Sequence, residues 1–218
     1  MPPMNLLNEY GLKFIPFRLL HEQTPIARNF MGGSPKRGVT PPLIEPATKH
    51  LCTLGLVEGL DVSLFSTFDY NILDSRYSFF PATYKMHDES NPLVQFVVHP
   101  EETQRDDHSP LKNSIKALEL VFGEVRSDPP CEGVEDLGAA AIYSDHKVGG
   151  LPFFNQIEGE VGKSLQLLRD GFVHLLQITF PSNADSLSSG NWPFGESAFH
   201  VFARHDALRD FRFYYCWG

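Results

Sequence analysis

Three short motifs recur in the same order along this chain, and the recurrence narrows the fold more than any other feature. Gly32-Gly33-Ser34-Pro35 matches Gly149-Gly150-Leu151-Pro152. His50-Leu51-Cys52-Thr53-Leu54 lines up with His174-Leu175-Leu176-Gln177-Ile178. Phe96-Val97-Val98-His99-Pro100-Glu101 echoes Val201-Phe202-Ala203-Arg204-His205-Asp206. An ordered internal repeat is the mark of a duplicated unit. Each copy reads as a Gly-Gly-x-Pro lead-in, an apolar strand, and an aromatic-rich strand closing on an acidic turn. The lead-in suits a tight approach to a strand, because glycine reaches positive φ while proline fixes its own φ and keeps the residue before it extended. The reading is therefore a single domain over 1–218, made of half 1 (about 25–125) and half 2 (about 140–218), a length that buries a substantial core.

Between the motifs, aromatic and β-branched runs broken by Gly, Pro and Asn point to many strands and few helices. In Phe211-Arg212-Phe213-Tyr214-Tyr215-Cys216-Trp217 the alternate positions Phe211, Phe213, Tyr215 and Trp217 share a face, the period of a half-buried strand. Phe199, Val201 and Ala203 follow the same rule. Phe172 to Ile178 is apolar on both faces, as a strand covered on both sides requires. Two helices are expected. One has Ser109 as N-cap, Pro110 at its first position, Leu111, Ile115, Leu118 and Phe122 at helical spacing, and Gly123 at its end. The other is short, about 163–169, with Gly171 beyond it. Ser127 to Gly138, rich in Pro, Gly and acid, reads as an exposed connection between the halves. The expected fold class is α+β: mostly antiparallel β, two pseudo-symmetric curved-sheet halves, and a few helices.

The formal charge of −9 is concentrated in the middle of the chain. Residues 51–145 carry seventeen Asp/Glu against six Lys/Arg, whereas 1–50 carry three against six. Such an acidic field repels nucleic acid and anionic lipid and attracts basic partners, although acidic surfaces also serve solubility alone. No apolar run approaches the roughly 18 residues that cross a bilayer. The opening Met1-Pro2-Pro3-Met4-Asn5 has no basic region and no apolar signal core. Cys52, Cys131 and Cys216 are odd in number and far apart, which suits free thiols in a reducing compartment. A cytoplasmic monomer that binds neither nucleic acid nor membrane is expected.

The second half resembles a known family. His146-Lys147-Val148-Gly149-Gly150-Leu151-Pro152-Phe153-Phe154-Asn155-Gln156 is similar to the His-x-hydrophobic-Gly-Gly-x-Pro-x-x-x-Gln segment of YwqG-like bacterial proteins. His174 to Ile178 resembles the family's Leu-Leu-Gln-Ile strand. Asn191 to Phe202 stands where the family has a Trp-Gly-Asp-x-Gly run leading into a Phe-Phe strand, and Phe211 to Trp217 resembles its last aromatic strand. The first half is more diverged: Gly32-Gly33-Ser34-Pro35 survives, but the usual Gln after the first apolar strand is missing. The resemblance implies a two-fold pseudo-symmetric pair of curved antiparallel sheets. It names no biochemical activity, and it places the chain among proteins found near toxin and immunity genes.

A Gly-x-Ser-x-Gly elbow, a P-loop, a dinucleotide fingerprint and His-Glu-x-x-His are all missing from the sequence. No cofactor, metal or catalytic set is assigned. Of nine histidines, His200 and His205 lie close in sequence, but on a strand and the turn after it they point apart. His146 and His174 belong to the family-like half, within reach of each other in space, and read as satisfied structural histidines ahead of ligands. Gln156 and Gln177 carry amides that must be paired wherever they are buried, and Trp192 suits a core plug. Together His146, Gln156, His174, Gln177 and Trp192 form a candidate ligand pocket. Glu101, Glu102, Asp106 and Asp107 cluster on a turn, a solvated loop or an anchor for a partner's Lys and Arg. The expected function is a non-enzymatic protein-binding protein, in particular an immunity protein that neutralises a cognate basic toxin such as a nuclease. The alternative is a small-molecule-binding or hydrolytic protein that uses a cleft between the halves.

Overall fold

The structure is a computed structural model that describes residues 13–21, 27–44, 48–57, 59–66, 94–113, 116–128, 145–153, 166–179, 198–204 and 211–216. Eleven strands run through these residues: β1 (Lys13–His21), β2 (Phe30–Met31), β3 (Lys49–Val57), β4 (Leu60–Ser66), β5 (Val94–Pro100), β6 (Leu118–Phe122), β7 (Arg126–Ser127), β8 (Lys147–Gly149), β9 (Phe172–Ile178), β10 (Ala198–Arg204) and β11 (Phe211–Cys216). Helix among the described residues amounts to one turn at 166–169. The class is therefore nearly all antiparallel β, which corrects the α+β expectation. No helix among them is long and apolar enough to cross a membrane.

The described residues fall into two compact units. Unit 1 contains those of 18–77 and 87–121, and unit 2 those of 4–17 and 122–218. In unit 1, β2, β3, β4 and β5 pair in order as an antiparallel meander, with β6 on the other side of β2. The β3–β4 hairpin closes through Gly59 at φ 78, a backbone conformation open to glycine at little cost. Leu54, Val62 and Leu64 fill one face. The other face carries His50, Thr53, Asp61 and Ser63, all buried. The alternation Asp61-Val62-Ser63-Leu64 thus reads as a half-exposed strand but is covered on both sides.

In unit 2, β8, β9, β10 and β11 form a second antiparallel meander. The 13–17 segment of β1 pairs with β8 and, at Lys13 and Phe14, with β7. The helical turn at 166–169 sets Leu167 into the core and ends at Gly171, φ 84, whose N–H donates to the Leu168 carbonyl at 3.2 Å. The expected start of that helix lies outside the described residues.

The helix expected over 109–123 is not formed. Ser109–Leu111 make a turn, with Lys112 N–H donating to the Ser109 carbonyl, and 118–122 are strand β6. Leu118 and Leu120 are buried and alternate with the part-exposed Glu119 and the exposed Val121, the period of a strand, while Leu111 lies in the turn and Ile115 outside the described residues. Tertiary pairing decides it. β6 joins β2 through Phe30↔Glu119 and Met31↔Leu118, and buried Asn113 donates its side-chain amide to the His50 carbonyl at 2.9 Å. β10 is also richer than expected: His200 and Phe202 are as buried as Phe199, Val201 and Ala203. At the start of the expected exposed connection Asp128 is buried, while 129–144 lie outside the described residues.

Candidate functional site

Each unit holds a cluster of buried polar side chains, and a β-bulge assembles both. In β3, His50 pairs with Phe65 and Cys52 with Leu64, leaving Leu51 as the extra residue. In β9, His174 pairs with Phe202 and Leu176 with Val201, leaving Leu175 extra. Residues three apart on a regular strand face opposite ways, but one added residue reverses the parity. His50 therefore shares a face with Thr53, and His174 with Gln177. The aligned motifs His50-Leu51-Cys52-Thr53 and His174-Leu175-Leu176-Gln177 carry the same bulge at the same place. The third motif pair differs, because β5 is the fourth strand of its meander and β10 the third.

In unit 1 the cluster is a chain of hydrogen bonds. His50 Nδ1 lies 3.0 Å from the Gly32 carbonyl and its Nε2 lies 2.9 Å from Thr53 Oγ1. Thr53 Oγ1 is 2.7 Å from Ser63 Oγ, and Ser63 Oγ is 2.9 Å from His99 Nε2. His99 Nδ1 ends the chain on the Pro100 carbonyl at 2.8 Å. His50 is wedged between the rings of Phe30 and Phe65. Burial, reinforced by the nearby Arg105 guanidinium, pushes its pKa down to about 3, so it is neutral at physiological pH. Arg105 itself stacks 3.6 Å above the Phe30 ring.

Beside this chain, Arg28 crosses the face of Gly55, where any β-carbon would collide with its guanidinium. It donates from Nε to Asp61 Oδ1 at 2.8 Å and reaches Glu101 Oε2 at 3.2 Å. The acidic turn is tied to the 32–39 loop. Ser34 Oγ donates to Asp107 Oδ1 at 3.3 Å, Arg37 N–H to the Gln104 carbonyl, and Asp106 N–H to the Pro35 carbonyl. Glu102 accepts the Gln104 N–H at 2.9 Å, which holds its carboxyl below the usual range, and Asp106 accepts the His108 N–H. The four carboxylates named from the sequence thus share one structured turn, with Glu101 and Asp107 exposed and Glu102 and Asp106 part-exposed.

In unit 2, His174 donates from Nδ1 to the Gly150 carbonyl at 3.2 Å, and its Nε2 lies 3.2 Å from His200 Nδ1. Burial drives His174 down to about 3 and His200 well below its ordinary value, and nearby Lys147 adds to both. Lys147 is buried at 3.6 Å from Asp128 Oδ2. Burial outweighs that carboxylate and lowers the amine to about 8. Asp128 Oδ2 also accepts the Leu151 N–H at 2.8 Å. Gln177 accepts from Phe153 N–H and donates to the Asp145 carbonyl, tying β9 to the loops on either side of β8. His146 stacks on Phe17 and accepts the Thr179 N–H at Nδ1, and burial takes it down to about 4.

The histidine that His174 meets is therefore His200, on the neighbouring strand, while His146 is engaged elsewhere. Gln156 and Trp192 lie outside the described residues. Sequence reasoning assigned none of His50, Thr53, Ser63, His99, Arg28, Asp61, Lys147 and Asp128 to a site, and it weighed His200 only against His205. The signal for His50 and Thr53 was present in the repeat, since they align with His174 and Gln177. Among the described residues no three His, Cys, Asp or Glu side chains converge to hold a metal. Neither the protein-family models nor the curated proteins contain a match to this chain.

Proposed function

We propose that this chain is a non-enzymatic protein-binding protein that captures a basic partner through the acidic turn at 101–107. A bacterial toxin neutralised by an immunity protein is the kind of partner it suits. The supporting observation is that the turn is charged and held in shape before any partner arrives. Arg28 fixes Glu101, Ser34 fixes Asp107, and backbone bonds to the 32–39 loop fix the peptide between them. A surface already ordered loses little entropy on docking, and its charge speeds encounter with a basic protein. The resemblance to YwqG-like proteins belongs to this proposal and supports its immunity side.

The hydrolytic reading has one observation in its favour, the 2.9 Å contact between Ser63 and His99. Yet Ser63 is fully buried and its hydroxyl is already shared between Thr53 and His99. A nucleophile must reach its substrate, so this hydroxyl suits structure better than attack. The test is co-expression with the product of the adjacent gene. If the proposal holds, the chain rescues growth and co-elutes with that product as a stoichiometric complex. Growth arrest with no complex contradicts it.

A further inference from the structure

The hydrogen-bond chain in unit 1 has more contacts than hydrogens. Five contacts of 3.0, 2.9, 2.7, 2.9 and 2.8 Å run from the Gly32 carbonyl through His50, Thr53, Ser63 and His99 to the Pro100 carbonyl. Each contact holds one hydrogen, and carbonyls at both ends only accept. With both imidazoles neutral, each ring and each hydroxyl supplies one hydrogen, which makes four. One contact would then set lone pair against lone pair inside the protein, an arrangement that buried polar groups avoid. We infer that this chain is a proton-binding site: His99 takes a proton from solvent and donates from both ring nitrogens, so that all five contacts are filled.

The surroundings place the proton on His99. His50 is fully buried, and the Arg105 guanidinium opposes a second positive charge there. His99 is 8% exposed, which opens a path to water. On β4 it faces Asp61 directly across the pair and Ser63 on the diagonal. Asp61 is buried with one oxygen on Arg28, and its Oδ2 has no hydrogen bond among the described residues. Glu101, just past the end of β5, shares Arg28. Through Ser63 the ring connects to Thr53 and His50 on β3. A charged His99 joins Arg28 beside Asp61 and Glu101, where a buried carboxylate favours an added positive charge. Loss of the proton breaks one contact and frees the hold of His99 on the Pro100 carbonyl or on Ser63.

Long-range 1H–15N correlation of the imidazoles in labelled, full-length protein reads the hydrogens directly. We expect both nitrogens of His99 to carry hydrogen, and of His50 only Nδ1. The Thr53 and Ser63 hydroxyl hydrogens, each held in a filled contact, should be visible as slowly exchanging signals. Thr53→Val provides the control. It leaves Ser63 to donate to a singly protonated His99, two contacts for two hydrogens, so one ring hydrogen of His99 should disappear. A singly protonated His99 in the wild-type protein overturns the inference, as does a Thr53→Val protein whose His99 keeps both ring hydrogens. Should that variant fail to fold, the wild-type protonation states decide alone.

Discussion

His50 donates from Nδ1 to the carbonyl of Gly32 across 3.0 Å. Because a carbonyl cannot donate, this contact fixes the tautomer of a neutral ring and turns the Nε2 lone pair toward Thr53. His174 repeats the arrangement with Gly150 in unit 2. In both units a Gly-Gly turn at positive φ and the histidine before a bulge hold each other in place.

Removing that ring should be costly. His50→Ala leaves a hole between Phe30 and Phe65 and strands the Gly32 carbonyl and the Thr53 hydroxyl. Cavity and unpaired groups together predict a loss of about 3–5 kcal/mol. Urea unfolding at neutral pH checks it, and a loss within about 0.5 kcal/mol would place His50 outside the structural core.

Acid should unfold the protein well above the carboxylate range. His50, His146, His174 and His200 are all held below the ordinary 6.5, with His50 and His174 near 3 and His146 near 4. Between roughly pH 4 and 6.5 the unfolded chain therefore binds more protons than the folded one, and stability falls as pH falls. His50, His146 and His174 each give up on the order of 2 kcal/mol between pH 7 and pH 5, their full contribution being present above 6.5. Urea midpoints at about pH 7 and 5 measure the drop. Equal midpoints would mean that these rings titrate normally in the folded protein.

The glycines should separate into strained and crowded positions. At Gly38, φ 75 with nothing within 4 Å, alanine costs only the backbone penalty, about 1–2 kcal/mol. At Gly150, φ 72, a β-carbon would lie 2.5 Å from Asp128 Oδ2 and 2.8 Å from Phe14 Cβ, and at Gly33 it would lie 2.8 Å from Ala117 Cβ. Thermal melts should place Gly150→Ala and Gly33→Ala clearly below Gly38→Ala. Three equal melting temperatures would remove the packing argument.

The strand character of the chain was legible in its alternation, and β9 reads directly as a strand covered on both sides. What misled was Ser109 to Gly123. Leu118 and Phe122 sit at helical spacing, but four residues apart they also share one face of a strand once β2 offers Phe30 and Met31 as partners. Local pattern cannot weigh a partner that lies some ninety residues away. The buried polar face of β4 was hidden for a related reason. Asp61 and Ser63 alternate with Val62 and Leu64 as if on a solvent-facing side, and only Arg28, Thr53 and His99 from other segments make their burial tolerable. The bulges at Leu51 and Leu175 have no signature in one copy. They become visible because the two copies align. The acidic turn was legible as a cluster, although its attachment to Ser34 and Arg28 was not.

The direct test of the binding account is the rate at which a basic partner protein, sought first in the product of the adjacent gene, associates with a neutralised turn. Glu101→Gln, Glu102→Gln, Asp106→Asn and Asp107→Asn together keep the acceptor oxygens and remove the charge. The account predicts an association rate about tenfold lower at low salt, a difference that shrinks at high salt, and a dissociation rate changed by less than about threefold. An unchanged association rate at both salt concentrations would contradict it.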